Sequence, residues 1–229
     1  GPLIALFVSS QHVPDFYQKA LEDSRVTPIV AENVKQRTEK LIHEYEQSDS
    51  EINHWTETIS KQECNAWLAF ELPQRFPELN SQGLSNPRVR FADHLILLGC
   101  EFQGTRFSGV VSIAMRPRLS YSNTLTLEIV FAKIGQVPLP LNSLITEAQE
   151  FARKEKISLE GVVIEWNAIS SGTYRGRLTL MPSHPTEMQL IATSIRVFDE
   201  MLEFRGERRV EESATTDHHQ VEGDVLSIN

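Results

Sequence analysis

Hydrophobic and polar residues alternate with a period of two between residues 88 and 134, which is the spacing of the two faces of a β-strand. Each of the two clearest runs has one apolar and one polar face, as an antiparallel sheet with one side in water requires. The apolar positions of these runs are Phe107, Gly109, Val111, Ile113 and Met115, and then Leu125, Leu127, Ile129 and Phe131. The pattern also predicts a hairpin turn at Ala92-Asp93 and strands at 55–59, 88–91, 95–102, 157–166, 174–180, 188–198 and 201–209.

Apolar residues at helical spacing precede each block of strands. Thr27-Pro28 is a strong helix start, because a hydroxyl can cap a helix and proline fits its first turn. Ser60 and Glu63 have the spacing of a capping box, and the helix that begins there is predicted to end at Pro73. Helices are predicted at 13–21, 27–47, 60–73 and 142–154.

These elements predict an α+β fold in which two or more helices wrap a curved antiparallel sheet. We divide the chain into an N-terminal helical extension (1–50), a curved-sheet domain (51–210) and an acidic tail (211–229). The tail has five acidic residues and neither lysine nor arginine, a composition that predicts mobility.

The formal net charge of −9 argues against a nucleic-acid-binding protein, which needs a field that attracts phosphates. Cys64 and Cys100 are either two buried thiols or, outside the cytoplasm, one disulfide. The apolar run Leu3–Val8 is too short to span a bilayer, which takes about 20 residues. It is either the end of a truncated N-terminal membrane anchor, an edge strand or part of an amphipathic helix.

Motifs that carry chemistry are absent from the sequence: it has no glycine-rich phosphate loop, no His-Glu-x-x-His and no nucleophile elbow. His218-His219 is the only adjacent histidine pair, and it lies in the tail, so no metal or other cofactor is expected. Glu165 lies beside Trp166 in an apolar strand and is read as an outward-facing sheet residue. Four arginines either keep a sheet face hydrated or meet an anionic head group: Arg116, Arg118, Arg175 and Arg177.

The order of elements from residue 55 to about 180 resembles the YpmS-like group and similar half-modules of the tubular lipid-binding (BPI-like) superfamily. The resemblance is carried by three segments and the strands between them: Thr58-Ile59-Ser60 followed by Glu63 to Leu68, the hairpin Val89 to Asp93, and Gly135 to Pro140. It implies an envelope location on the extracytoplasmic face of the bacterial inner membrane, an N-terminal anchor and binding of an acyl chain along the concave sheet face. It implies no enzymatic activity.

The leading hypothesis is therefore a non-enzymatic, membrane-tethered envelope protein that binds or transfers a lipid or other hydrophobic small molecule. On this hypothesis a groove is lined by Trp67, Leu68, Leu72, Leu127, Ile129, Phe131, Leu144 and Ile145. Whether these residues line a groove or fill a core is left open by the sequence. A filled core would favour a protein–protein interaction module, whereas a cone-shaped enzyme of the nuclear-transport-factor type would need Glu165 or His94 to point inward.

Overall fold

A computed structural model describes residues 9–46, 54–104, 108–120, 124–139, 162–170, 173–180 and 188–210, and every statement below concerns these residues. The apolar run at 3–8, the predicted helix at 142–154 and the acidic tail lie outside them. No helix among the described residues is both long and apolar enough to cross a membrane.

Two antiparallel sheets and a set of helices make up the fold, which confirms the predicted α+β class. The helices are α1 (Asp15–Leu21), α2 (Pro28–Glu46), α3 (Lys61–Ala66), a π-helix (Trp67–Glu71), α4 (Leu72–Arg75) and α5 (Glu78–Ser81). The strands are β1 (His54–Ser60), β2 (Leu84–Ala92), β3 (Leu95–Gln103), β4 (Ser108–Ser120), β5 (Thr124–Ile134), β6 (Val137–Pro138), β7 (Val162–Ser170), β8 (Thr173–Leu180), β9 (Met188–Val197) and β10 (Met201–Val210).

The larger sheet has seven strands in the order β2-β3-β4-β5-β8-β7, with β6 paired to β5. The smaller sheet has three strands in the order β1-β10-β9. Strand β9 lies against β4, and the hydrophobic core is formed where the two sheets meet. Phe91, Val197 and Leu202 are its central residues, so β2 of the large sheet is packed directly onto β9 and β10 of the small one.

The register divides the large sheet into two chemically different faces. Directly paired residues share a face, so the pairing of Phe91 with Ile96, of Ile96 with Met115 and of Met115 with Ile129 traces one row. Among the paired positions that the structure describes, this face carries no charged residue, and we call it the uncharged face. The opposite face, here the charged face, carries the lysines, arginines and glutamates of these strands.

A β-bulge in the large sheet overturns one part of the predicted groove. The register shifts between Ala114 and Met115, which pair with Phe131 and Ile129 and leave Val130 as an extra residue. Ile129 therefore lies on the uncharged face, whereas Phe131 lies on the charged face. A strict period of two had placed both on one face, which is wrong because the bulge adds one residue.

The helix after β1 begins as predicted but does not end as predicted. The Ser60 hydroxyl accepts a hydrogen bond from the Glu63 N–H (3.2 Å), and the Glu63 carboxylate accepts one from the Ser60 N–H (2.7 Å), which confirms the capping box. Pro73 does not end the helix, which continues to Arg75. The π-turn, in which the Leu72 N–H donates to the Trp67 carbonyl, separates the proline from a regular α-helical ladder.

The β2–β3 hairpin also turns one residue later than predicted. Ala92 belongs to β2, and the turn is formed by Asp93 and His94, whose φ angles are 52° and 63°. Two successive residues with positive φ match the twist of a two-residue hairpin, and Asp is among the residues that tolerate this conformation.

The N-terminal helices pack onto the sheet domain. Tyr17 of α1 is buried and lies over Gly99, where a β-carbon would come within 2.7 Å of the tyrosine ring. The Tyr17 hydroxyl donates to the Asn86 carbonyl at 2.7 Å. Helix α2 packs against α3 and the π-helix and buries Ala31 and Val34.

Candidate functional site

An apolar pocket of about 190 Å³ lies between the helix that follows β1 and the uncharged face of β2 and β3. Its helical wall is formed by Leu68 and Leu72, and its sheet wall includes Leu84, Leu98 and Cys100. The remaining lining residues are Pro73, Leu79, Asn80, Ser85 and Pro87. No residue with a charged side chain lines it, so its walls offer dispersion contacts and no ion pairing.

One side of the pocket is held in place by a buried amide. Asn65 of α3 is 1% exposed and makes two hydrogen bonds to one residue of β2. Its Oδ1 accepts from the Val89 N–H at 2.7 Å, and its Nδ2 donates to the Val89 carbonyl at 2.9 Å. Because β2 is the last strand of the sheet, this amide takes the place of a further strand at that position.

The pocket lies next to the two hydrogen bonds between Asn65 and Val89, further along the helix. Leu68 and Leu72 follow Asn65 by about one and two helical turns, and Leu84 lies at the start of β2, away from Val89. Leu68 also packs against the core cluster. The helix–sheet interior is thus filled near Asn65 and contains a pocket further along.

The two cysteines are free thiols in the structure. Cys64 packs against the core cluster, and Cys100 lines the pocket. Burial raises the pKa of the Cys64 thiol to about 12 and that of the Cys100 thiol to about 11, from an ordinary value of 9.0. Both side chains are therefore protonated at neutral pH and act as apolar groups.

We expect the native protein to react slowly with a thiol reagent such as 5,5′-dithiobis(2-nitrobenzoic acid). At pH 8 the raised pKa of Cys100 lowers the thiolate fraction of Cys100 about a hundredfold relative to the unfolded chain. The higher pKa of Cys64 lowers the thiolate fraction of Cys64 by a larger factor. Rates measured in buffer and in guanidinium chloride, on Cys64→Ser and Cys100→Ser variants, separate the two thiols. Reaction of either thiol at the unfolded rate would show that the folded structure does not raise its pKa as described.

The pKa shifts also have a consequence for stability at alkaline pH. Because the thiol pKa values are higher in the folded state, the unfolded chain ionises first as pH rises. Any contribution of the protonated thiols is complete below about pH 9 and is lost as pH rises through about 11 for Cys100 and about 12 for Cys64.

The predicted groove residues are divided among several places. Leu68 and Leu72 line the pocket, and the half-buried Trp67 does not. Leu127 and Ile129 lie on the uncharged face in β5, outside the pocket, and Phe131 lies on the charged face. Leu144 and Ile145 lie outside the described residues.

Eight of the ten lining residues were not among the predicted groove residues, and four of these eight are Leu79, Leu84, Leu98 and Cys100. Leu98 and Cys100 belonged to a predicted strand, and their alternation placed them on one face. Leu79 and Leu84 lie between the predicted helix at 60–73 and the predicted strand at 88–91, where the sequence pattern predicts no element, whereas Leu79 lies in α5 and Leu84 begins β2. No local pattern assigns such residues to a shared pocket.

The residues considered for catalysis do not meet at this pocket. His94 lies in the turn between β2 and β3, and its Nδ1 atom is 3.3 Å from the Val197 carbonyl oxygen. Glu165 pairs with Arg177, at a register position on the charged face. Within the described part of the chain, no three metal-ligating side chains form a group that could hold an ion.

Comparison with known proteins adds no relative: no family model matches the chain, and neither a curated protein nor a solved structure does.

Proposed function

We propose that this protein is a non-enzymatic carrier or receptor for a hydrophobic ligand with an alkyl chain, such as a membrane lipid. The observation that supports the proposal is the apolar pocket, which lies between Leu68 and Leu72 of the helix and Leu98 and Cys100 of the sheet. An apolar pocket binds by removing hydrocarbon from water, at about 0.8 kcal/mol per CH₂ before ordering costs.

The size of the pocket limits what it can hold by itself. A cavity of about 150 Å³ with apolar walls binds one benzene molecule, and drug-sized ligands occupy about 300–1,000 Å³. At about 190 Å³ the pocket accommodates a short apolar segment and not a complete long acyl chain. The rest of a long chain would lie along the uncharged face, which continues from β3 through β4 and β5.

The proposal includes a location at a bacterial envelope membrane with an N-terminal tether. That part depends on the resemblance of the strand and helix order from residue 55 to about 180, and on the apolar run Leu3–Val8.

The direct test is native mass spectrometry of the purified protein, followed by solvent extraction and titration with a fluorescent C18 fatty acid. We expect a bound lipid or saturable uptake in the wild type. Cys100→Phe should abolish uptake because it fills the pocket with an apolar ring, and Cys100→Ala should retain it. Equal binding by both variants, with folding shown by circular dichroism, would remove the pocket as the site.

A second pair of variants tests whether the chain extends along the uncharged face. Leu127→Glu and Phe131→Glu introduce the same charge four residues apart on β5, on opposite faces because of the bulge. We expect Leu127→Glu to weaken uptake of a C18 chain by tenfold or more and Phe131→Glu to leave it within twofold. The opposite order would show that the ligand lies elsewhere.

A further inference from the structure

Four arginine positions come together on the charged face of the seven-stranded sheet. Arg116 and Arg118 lie on β4, and Arg175 and Arg177 lie on β8, two strands away. The register of β5 aligns Glu128 with Arg116 on one side and with Arg175 on the other. Arg118 and Arg177 belong to the next row, and we call these four positions the arginine quartet.

The arginine positions of the quartet outnumber the glutamate positions that pair with them in register. One Glu128 oxygen lies 3.6 Å from Arg116 Nη1 and 3.4 Å from Arg118 Nη2, so two guanidinium groups share one carboxylate. Glu165 pairs in register with Arg177. By residue type, these two register rows hold four arginines and two glutamates, a formal charge of +2, whereas the whole chain carries −9.

The four positions of the quartet lie close together on the sheet. Adjacent strands are about 4.8 Å apart and alternate residues about 6.8 Å apart, so the four positions outline a rectangle of about 10 by 7 Å. The side chains of Arg116 and Arg118 are 43% and 59% exposed, so solvent and partners reach them.

We propose that the arginine quartet docks this face of the sheet on a bilayer containing anionic phospholipids. Guanidinium groups bind phosphate oxygens through paired hydrogen bonds, and an array of such groups matches a surface of phosphodiester head groups. Charge complementarity selects this partner, because the quartet is a positive region on an otherwise acidic protein. The interaction is electrostatic and therefore weakens as salt screens it. It does not depend on the pocket being filled.

Vesicle flotation with the full chain tests the proposal, comparing vesicles of phosphatidylcholine alone with vesicles containing phosphatidylglycerol. The readout is the fraction bound to anionic vesicles divided by the fraction bound to neutral vesicles. Insertion of the apolar run Leu3–Val8 would contribute to both fractions and cancels in this ratio. We expect the wild type to prefer anionic vesicles at low salt and to lose the preference in 0.5 M salt. The double variant Arg116→Gln/Arg118→Gln should lower the ratio on the order of 20-fold.

The matched control is Arg75→Gln/Arg196→Gln, which removes two exposed arginines elsewhere and changes the net charge equally. It should leave the ratio within twofold. An equal fall of the binding ratio in both double variants would show that only net charge matters, and it would overturn the proposal. The proposal would also be overturned if the wild-type protein showed no preference for anionic vesicles, or if it bound an acidic polypeptide and not the vesicles. If the double variant does not fold, Arg118→Gln alone, at the more exposed position, gives the same comparison with a smaller change.

Discussion

Replacing Asn65 by aspartate is expected to destabilise the protein by about 3–5 kcal/mol at neutral pH. The Asn65 amide is buried and serves both the N–H and the carbonyl of Val89. A carboxylate keeps the acceptor for the N–H but loses the donor, places a negative charge opposite the carbonyl oxygen and removes that charge from water. The variant should therefore lose much of the marginal stability of a domain of this size.

The destabilisation of the Asn65→Asp variant is also expected to depend on pH. Burial and the facing carbonyl raise the folded-state pKa of the introduced carboxyl above its unfolded value of about 3.9. A protonated carboxyl can donate to the Val89 carbonyl as the amide does, so the destabilisation should shrink as pH falls from 7 towards 4. Urea unfolding followed by circular dichroism at several pH values measures this trend, and its absence would contradict the described pair of hydrogen bonds.

Asn33→Asp is the control for this experiment, because Asn33 is exposed on α2. It makes the same chemical change in solvent and should alter the free energy of unfolding by less than about 0.5 kcal/mol.

Replacing Phe91 by alanine is expected to cost about 3–5 kcal/mol, through lost burial and the cavity left behind. Phe91 is fully buried and belongs to the cluster with Val197 and Leu202 that joins the large sheet to the small one. The variant should therefore loosen the packing of the two sheets as well as lower global stability. Hydrogen exchange of β9 and β10 should become faster relative to β4 and β5.

The exposed Phe198 provides the control, since its side chain is 41% exposed at the end of the β9–β10 hairpin. Phe198→Ala removes the same ring and should cost less than about 1 kcal/mol. Equal losses in the two variants would mean that the joint between the sheets does not depend on Phe91.

Local sequence patterns accounted for most of the secondary structure. Thr27-Pro28 and the Ser60–Glu63 pair fixed the starts of two helices, because capping depends on residues within one turn. Alternation of apolar residues located β3 and β4 and the first part of β5, because a strand with one buried face needs a period of two. The turn at Asp93-His94 was misplaced by one residue, since several polar residues tolerate positive φ.

The candidate site was predicted less well, because its residues come together from elements distant in sequence. Leu68 and Leu72 were expected to face the sheet and do so at the pocket. Leu84 and Cys100 joined them only through the pairing of β2 with β3 and the position of the helix above them. Phe131 was assigned to the wrong face because the bulge depends on how β4 and β5 pair. The sequence of neither strand shows it alone.

The sequence by itself determined the starts of two helices, most of the described strands, the apolar faces of β3, β4 and the first part of β5, and the absence of a familiar catalytic motif from the sequence. Those properties depend on the spacing of residues within a few positions, because hydrophobic burial and helix capping act between residues that are close in sequence. Tertiary structure alone decided that Asn65 ties the helix to the last strand and that an apolar pocket remains beyond this tie. The sequence had already grouped the four arginines on one sheet face, and strand register decided which rows of that face they occupy. These features are set by strand register and by packing over long sequence separations, where many arrangements satisfy the same local pattern and only the packing of the whole chain selects one.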